Sequence, residues 1–241
     1  MTEDYTLGLS YNHIKEAMSN VNLKNDRLTV LGQAANKLRD AILSGYFKPG
    51  QRLVEADLCE LMQVSRTSMR EALRRLEAER LITIIPNRGP SVALISWDEA
   101  EEIYAVRAML EGEAVSLFAC KATSSDIRGM RAALKAFVEA DENEDVIGRL
   151  RSTSQFYGII LAGCGNGVIR EILVGLVARI NFLRARSMSR PGRARLSAME
   201  LRRILAGIEK KNPIVAREAA IAHVRSACAA ARHVFEIKEA A

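Results

Sequence analysis

The stretch Val64-Ser65-Arg66-Thr67-Ser68-Met69-Arg70-Glu71-Ala72-Leu73 concentrates hydrogen-bond donors at one end of an expected helix. Ser65 is a natural N-cap, and the helix behind it would present free backbone N–H groups whose dipole favours a phosphate. Thr67 and Ser68 add short hydroxyl donors. Arg66 and Arg70 lie one turn apart, so two guanidinium forks project from one face, each suited to a guanine edge or a phosphate. Met69, Leu73 and Leu76 fall on the opposite, core-facing side. A helix tip with these donors suits the major groove of a duplex. Taken alone, the arginines are equally consistent with a solvated helix surface. The preceding helix, the hydroxyl-rich first turn and Arg88-Gly89 further on favour the nucleic-acid reading.

Other chemistry is sparse. The chain holds three histidines, His13, His223 and His233, with no Gly-rich phosphate loop and no His-Glu-x-x-His motif. No nucleophile is spaced with a base, so the protein is not expected to be an enzyme. Catalysis by a carboxylate such as Glu111 or Glu113 on an enzyme with a DNA-binding appendage is the alternative, and an architectural DNA binder without an effector is another. Two further residues stand out in the second half. Arg107 falls on the apolar line Ile103–Leu110–Ala114 and is expected to pair with Glu111 one turn on. His223 shares a face with the small residues Ala219, Ser226 and Ala230, which leaves room beside it.

The elements that must position these residues follow from periodicity. Leu31, Ala35, Leu38 and Ile42 mark a helix over 31–44, ended by Gly45 and the Pro49-Gly50 turn. Helices are expected over 55–62 and 66–79. Leu81–Ile85 and Ser91–Ile95 read as strands around a Pro86–Pro90 hairpin tip. From Trp97 onward the pattern is helical, with segments near 98–121, 124–141, 145–163, 166–188, 194–211 and 213–236. Asp98, Ser125 and Pro213 serve as start signals. The expected fold is mostly α: an N-terminal winged helix-turn-helix with a small β-hairpin, plus a C-terminal six-helix antiparallel bundle. The expected division is a flexible extension over 1–27, a DNA-binding domain over 28–96, and an effector-binding and dimerisation domain over 97–237.

Composition agrees with that plan. Of 241 residues, 49% are hydrophobic and 27% charged, enough for a sizeable core and too apolar for general disorder. The four cysteines are far apart without a Cys-x-x-Cys pair, which argues against a disulfide scaffold or zinc ribbon. The N-terminus is acidic rather than basic-then-apolar, and apolar runs such as Ile159–Ala162 fall short of the ~20 residues that span a bilayer. A soluble, cytoplasmic protein without membrane contact is expected, associated with the nucleoid when bound to DNA. The net charge of +6 is concentrated in two places. Residues 65–90 hold six arginines against three glutamates, and residues 179–211 hold ten basic residues against Glu200 and Glu209. The second cluster, including Arg179, Arg184, Arg186, Arg190, Arg193 and Arg195, is expected around the loop between the fourth and fifth bundle helices. It reads as a solvated loop, with an auxiliary contact to DNA or an acidic ligand as the alternative.

The motifs resemble the GntR transcription regulators. The resemblance runs from Leu38-Arg39-Asp40-Ala41-Ile42 through Gly45 and Pro49-Gly50-Gln51-Arg52-Leu53 to Ser65–Leu73. It continues in Leu76-Glu77-Ala78-Glu79-Arg80-Leu81-Ile82 and Arg88-Gly89-Pro90-Ser91-Val92. It implies operator contacts at Ser65, Arg66, Thr67, Ser68 and Arg70, with Arg88 and Gly89 on the wing and Gly89 close to the minor groove. A position that is basic in some members is Ala56 here. The second half resembles the FCD-type ligand domain of the FadR subfamily. The carrying residues are Ile103-Tyr104-Ala105-Val106-Arg107-Ala108-Met109-Leu110-Glu111-Gly112, Phe156-Tyr157, Ala162-Gly163-Cys164-Gly165-Asn166 and Ala222-His223-Val224. Six helices rather than seven imply the VanR-like group.

Many such domains hold a divalent metal, and the resemblance carries the four ligand positions onto Thr153, Tyr157, Leu201 and His223. Only His223 is a competent ligand, and one imidazole does not hold such an ion, so no metal cofactor is expected. Arg107, Thr153, Tyr157 and His223 are then the expected contacts for a small organic acid. His223 reads equally as a satisfied core histidine, and Tyr157 as packing. The function implied is a ligand-responsive regulator, more often a repressor, that binds a palindromic double-stranded operator as a homodimer.

Overall fold

The computed structural model describes residues 30–86 and 88–239. The extension read over 1–27 lies outside the described residues. Helix α1 spans Val30–Leu43, α2 Glu55–Met62 and α3 Arg66–Ala78, followed by strands β1 at Ile82–Ile85 and β2 at Gly89–Val92. Leu38, Leu58, Met69, Leu73 and Leu76 close into one apolar core, each at most 2% exposed. The spacing of Met69, Ala72, Leu73 and Leu76 puts all four on one stripe of α3, which fixes its opposite face toward solvent. Arg39 of α1 locks α3 from behind: its Nε donates to Glu79 Oε2 at 2.8 Å and its Nη2 to Glu79 Oε1 at 2.6 Å. Gln63 ends α2 in the left-handed region at φ 54°, and its side-chain amide caps the Glu60 carbonyl at 2.7 Å. Val64 alone then separates that turn from the Ser65 cap of α3.

β1 and β2 pair antiparallel in the register Ile82↔Val92 to Ile85↔Gly89. The second strand therefore starts earlier and ends earlier than its apolar run suggests. Gly89, at φ 78°, turns the chain into pairing, and Leu53 N–H bonds the Pro90 carbonyl at 2.8 Å. Ile95 instead is buried in the connector to the next helix.

Six helices follow among the described residues: α4 Trp97–Ala119, α5 Ser124–Glu142, α6 Val146–Gly163, α7 Gly167–Met188, α8 Arg193–Glu209 and α9 Pro213–Glu239. Pro213 opens α9 as expected, and Asp145 and Asn166 cap α6 and α7, but α4 and α5 are started by residues just upstream of Asp98 and Ser125. Ser96 caps α4 through the Glu99 N–H, and Thr123 forms a reciprocal capping box with Asp126 on α5. Helix α9 packs along both α4 and α8, while α5 lies on α6 and α8, and α7 on α9, α4 and α6. Gly207 permits the α8–α9 contact: a Cβ there would meet Ala216 Cα at 2.8 Å. Seven residues earlier on α8 and seven later on α9 stand Glu200 and His223. The same antiparallel crossing thus brings their side chains to 2.7 Å. Arg151 of α6 reaches Asp40 of α1 at 2.7 Å, tying the bundle to the N-terminal head.

The basic stretch is not a solvated loop. Arg179, Arg184 and Arg186 lie within α7, and Arg193 opens α8. Arg184 and Arg193 are each 3% exposed, and Arg179 pairs with Glu99 at 3.2 Å. The turn between α7 and α8, where Arg190 is exposed, is open, and Arg195, Arg202 and Arg203 face solvent from α8.

Gly207→Ala tests the α8–α9 crossing. In an open helix this change would gain up to about 1 kcal/mol, whereas overpacking against a neighbouring backbone costs about 1–3 kcal/mol. The expected result is a net loss of stability in urea unfolding, opposite in sign to the propensity effect.

Candidate functional site

The first surface is the leading end of α3. Ser65 accepts the Ser68 N–H on its Oγ at 3.2 Å and donates its own hydroxyl hydrogen to Ser68 Oγ at 3.0 Å. Arg66, Thr67 and Arg70 are exposed there and Ser68 is half-buried. Arg70 is not wholly free: its Nε donates to Glu55 Oε2 at 2.9 Å, fixing the fork against the first turn of α2. Arg88 is exposed beyond β1, and Gly89 has open space where a Cβ would stand. The five α3 positions form one contiguous tip. Arg88 and Gly89 lie apart from it, on the hairpin.

The second site is buried in the bundle, and its centre is Glu111. Arg107 Nε donates to Glu111 Oε1 at 2.8 Å, the pairing read from the sequence, and Arg184 Nη2 approaches the same oxygen at 3.7 Å. Arg107, Glu111 and Arg184 are each at most 3% exposed. Burial alone would raise the Glu111 carboxyl, but the two guanidiniums outweigh it and hold the group below its ordinary value. The Arg184 guanidinium rests over the Tyr157 ring at 5.0 Å, and burial together with Arg107 lowers its hold on a proton. Tyr157 stacks on His223 with centroids 6.4 Å apart, and burial keeps its phenol protonated well above the usual range.

Across the helix pair, Glu200 Oε2 receives Arg193 Nη2 at 2.8 Å and lies 2.7 Å from His223 Nδ1. A carboxylate only accepts, so Nδ1 carries the hydrogen. Burial holds the imidazole neutral by lowering its pKa in spite of Glu200. The cluster therefore carries three buried cations, Arg107, Arg184 and Arg193, against two carboxylates, Glu111 and Glu200. Arg107 Nη1 and Nη2, Arg184 Nε, and Arg193 Nε and Nη1 have no partner in the protein.

Of the four effector positions read from the sequence, Arg107, Tyr157 and His223 meet in this cluster. Thr153 is buried, but its hydroxyl donates to the Arg149 carbonyl on its own helix at 2.8 Å. The sequence reading missed Arg184, Arg193 and Glu200 as members of the cluster. Only Arg184 carried a signal: it shares the line Ile180–Leu183–Ser187 at helical spacing, as Arg107 shares an apolar line on α4.

The four positions that correspond to metal ligands do not fit a divalent ion. Thr153 has spent its hydroxyl, Tyr157 stays a phenol, Leu201 is apolar, and three guanidiniums already supply positive charge. Among the described residues no group of three or more histidine, cysteine or acidic side chains comes together. A cavity of about 200 Å³ opens between α6 and α7, with Glu111, Tyr157 and Arg184 at its polar end. Leu161, Leu173, Val174, Val177 and Ile180 line most of the rest, with Ser154 and Gly158 beside them.

Removing the central carboxylate while leaving its partners should cost far more than an exposed ion pair. Glu111→Gln strands two buried guanidiniums, a loss of about 3–5 kcal/mol against about 0–1 kcal/mol for a surface pair such as Lys135–Glu139. Chemical denaturation of Glu111→Gln beside Glu139→Gln measures the contrast.

Two family models match the chain: residues 31–92 match bacterial regulatory proteins of the gntR family, and residues 102–226 match the FCD domain. The uncharacterized HTH-type transcriptional regulator YdhC of Bacillus subtilis is 30% identical over 208 residues, covering 85% of this chain and 92% of that protein. The HTH-type transcriptional repressor GlaR of Escherichia coli is 31% identical over 153 residues, 61% of this chain and 70% of GlaR. The structure of McbR/YncC of E. coli superposes with a TM-score of 0.74 over 86% of this chain and 98% of that one, at 22% identity. Together with the exposed helix tip and the helical bundle behind it, these matches place the chain in the GntR family of transcriptional regulators, in the FadR-like branch that carries an FCD domain.

Proposed function

We propose that the protein is a ligand-responsive repressor that binds a palindromic operator as a homodimer. In this reading the tip of α3 enters the major groove, with Arg66 and Arg70 on base edges or phosphates, and Ser65, Thr67 and Ser68 on the backbone. Arg88 and Gly89 approach the adjacent minor groove. The observation that carries the reading is the α3 tip, whose donors are exposed while its opposite face is locked in the core. The repressor role is supported by GlaR, named as a repressor; the Glc operon transcriptional activator of E. coli, 26% identical over 228 residues, is the precedent for the opposite sign. The protein would act in the cytoplasm on nucleoid DNA.

The same proposal assigns the buried cluster of Arg107, Tyr157 and His223, with Thr153 behind them, to a small organic acid that binds without a metal cofactor. A net positive charge buried with unpartnered donors supports an anion there, because such donors cost about 1–3 kcal/mol each when left unpaired.

Mobility shifts on the natural upstream DNA test the interface. Arg66→Ala and Arg70→Ala are each expected to weaken operator binding by about 1–3 kcal/mol if they read bases. If they meet phosphates, the loss is uniform across sequences and the salt dependence falls by about one unit of slope. Unchanged binding in both variants would sink the assignment.

A further inference from the structure

We infer that the cavity between α6 and α7 takes a monocarboxylate with an aliphatic body, its charge held by Arg184. This rests on the effector reading above and narrows it to a ligand class and an entrance. Arg184 belongs to both parts of the argument: it lines the cavity, and its Nε has no partner in the protein. Tyr157 and Glu111 line the same end.

Charge sets the ligand's valence. Glu200 is matched by Arg193, while Arg107 and Arg184 share the single carboxylate of Glu111, so one added negative charge balances the buried guanidiniums and two would overshoot them. The wall sets the body. Leu161, Leu173, Val174, Val177 and Ile180 offer no donor or acceptor side chain, and the Ser154 hydroxyl beside them already donates to Asn181 Oδ1 at 3.3 Å, so a second carboxylate there would lose its hydration without matching partners. Size sets the upper limit, since about 200 Å³ lies below the roughly 300–1,000 Å³ of pockets for drug-sized ligands. Val174 and Val177, 54% and 40% exposed, mark the mouth on the surface of α7. The guanidinium thus does within the protein what a bound cation would otherwise do for an anionic ligand.

Three five-carbon probes separate charge from shape: pentanoate, glutarate and pentan-1-ol, each titrated calorimetrically into the full chain with and without a chelator. Pentanoate is expected to bind saturably and equally in both conditions, with glutarate and pentanol at least tenfold weaker. Arg184→Met, which keeps an unbranched side chain, should lose roughly 10–100-fold in pentanoate affinity, the range for a hydrogen bond to a charged group. Val177→Phe fills the mouth from the surface, where the fold tolerates it, and should lose pentanoate while leaving the melting temperature of the free protein within a few degrees. Glutarate binding as tightly as pentanoate, loss of binding in chelator, or full binding by both variants would each overturn the inference. Pentanoate that binds as expected but leaves the operator complex intact in a mobility shift would uphold the pocket and remove the effector reading instead. Operator release that persists in Arg184→Met would do the reverse.

Discussion

A carboxylate shared by two guanidiniums inside an all-helical core is the constraint around which the second half of this protein is arranged. Glu111 sits on α4, one of its partners one turn away and the other on α7. A buried charge is tolerated only when it is paired, and losing a partner costs more than an equivalent apolar pair would ever have gained. The helices that supply Arg107, Glu111 and Arg184 are therefore held to one arrangement. Glu200, Arg193 and His223 repeat the device between α8 and α9, with Gly207 setting how closely those helices approach.

Helix α7 connects this interior to the DNA-facing head. Arg184 points its charge at Glu111, while Phe182, Ala185 and Arg186, on neighbouring turns, line a second cavity of about 320 Å³ shared with Leu43, Lys48 and Pro49. Arg149 borders that cavity too, and its carbonyl receives the Thr153 hydroxyl. A rigid helix that presents one face to each region is the kind of element through which a change at one is felt at the other. The Arg151–Asp40 ion pair adds a direct strut between bundle and head.

The α3 tip was legible because its evidence is local. A cap residue, an apolar stripe and two arginines one turn apart are properties of consecutive residues, and each occupies the place its spacing implied. Arg107–Glu111 was legible for the same reason. Boundaries were less so: Ser96 and Thr123 cap helices whose starts had been assigned to Asp98 and Ser125, because a cap is the residue outside the helix, not the first polar one within it. The β-hairpin slid toward its turn because the Gly89 backbone, rather than the Ile/Val content, decides where pairing begins.

The sequence by itself determined the order of elements, the family-specific motif at the head of α3 and the Arg107–Glu111 pairing one turn apart. All of these depend on residue type and near-neighbour spacing. Tertiary structure alone decided that Arg193 is an interior charge rather than a loop solvator, and that Glu200 meets both it and His223. It also decided that Thr153 turns its hydroxyl back to its own helix. Those outcomes turn on which helix lies against which, and an arginine's long side chain is equally at home in water or against a buried carboxylate until packing removes the water.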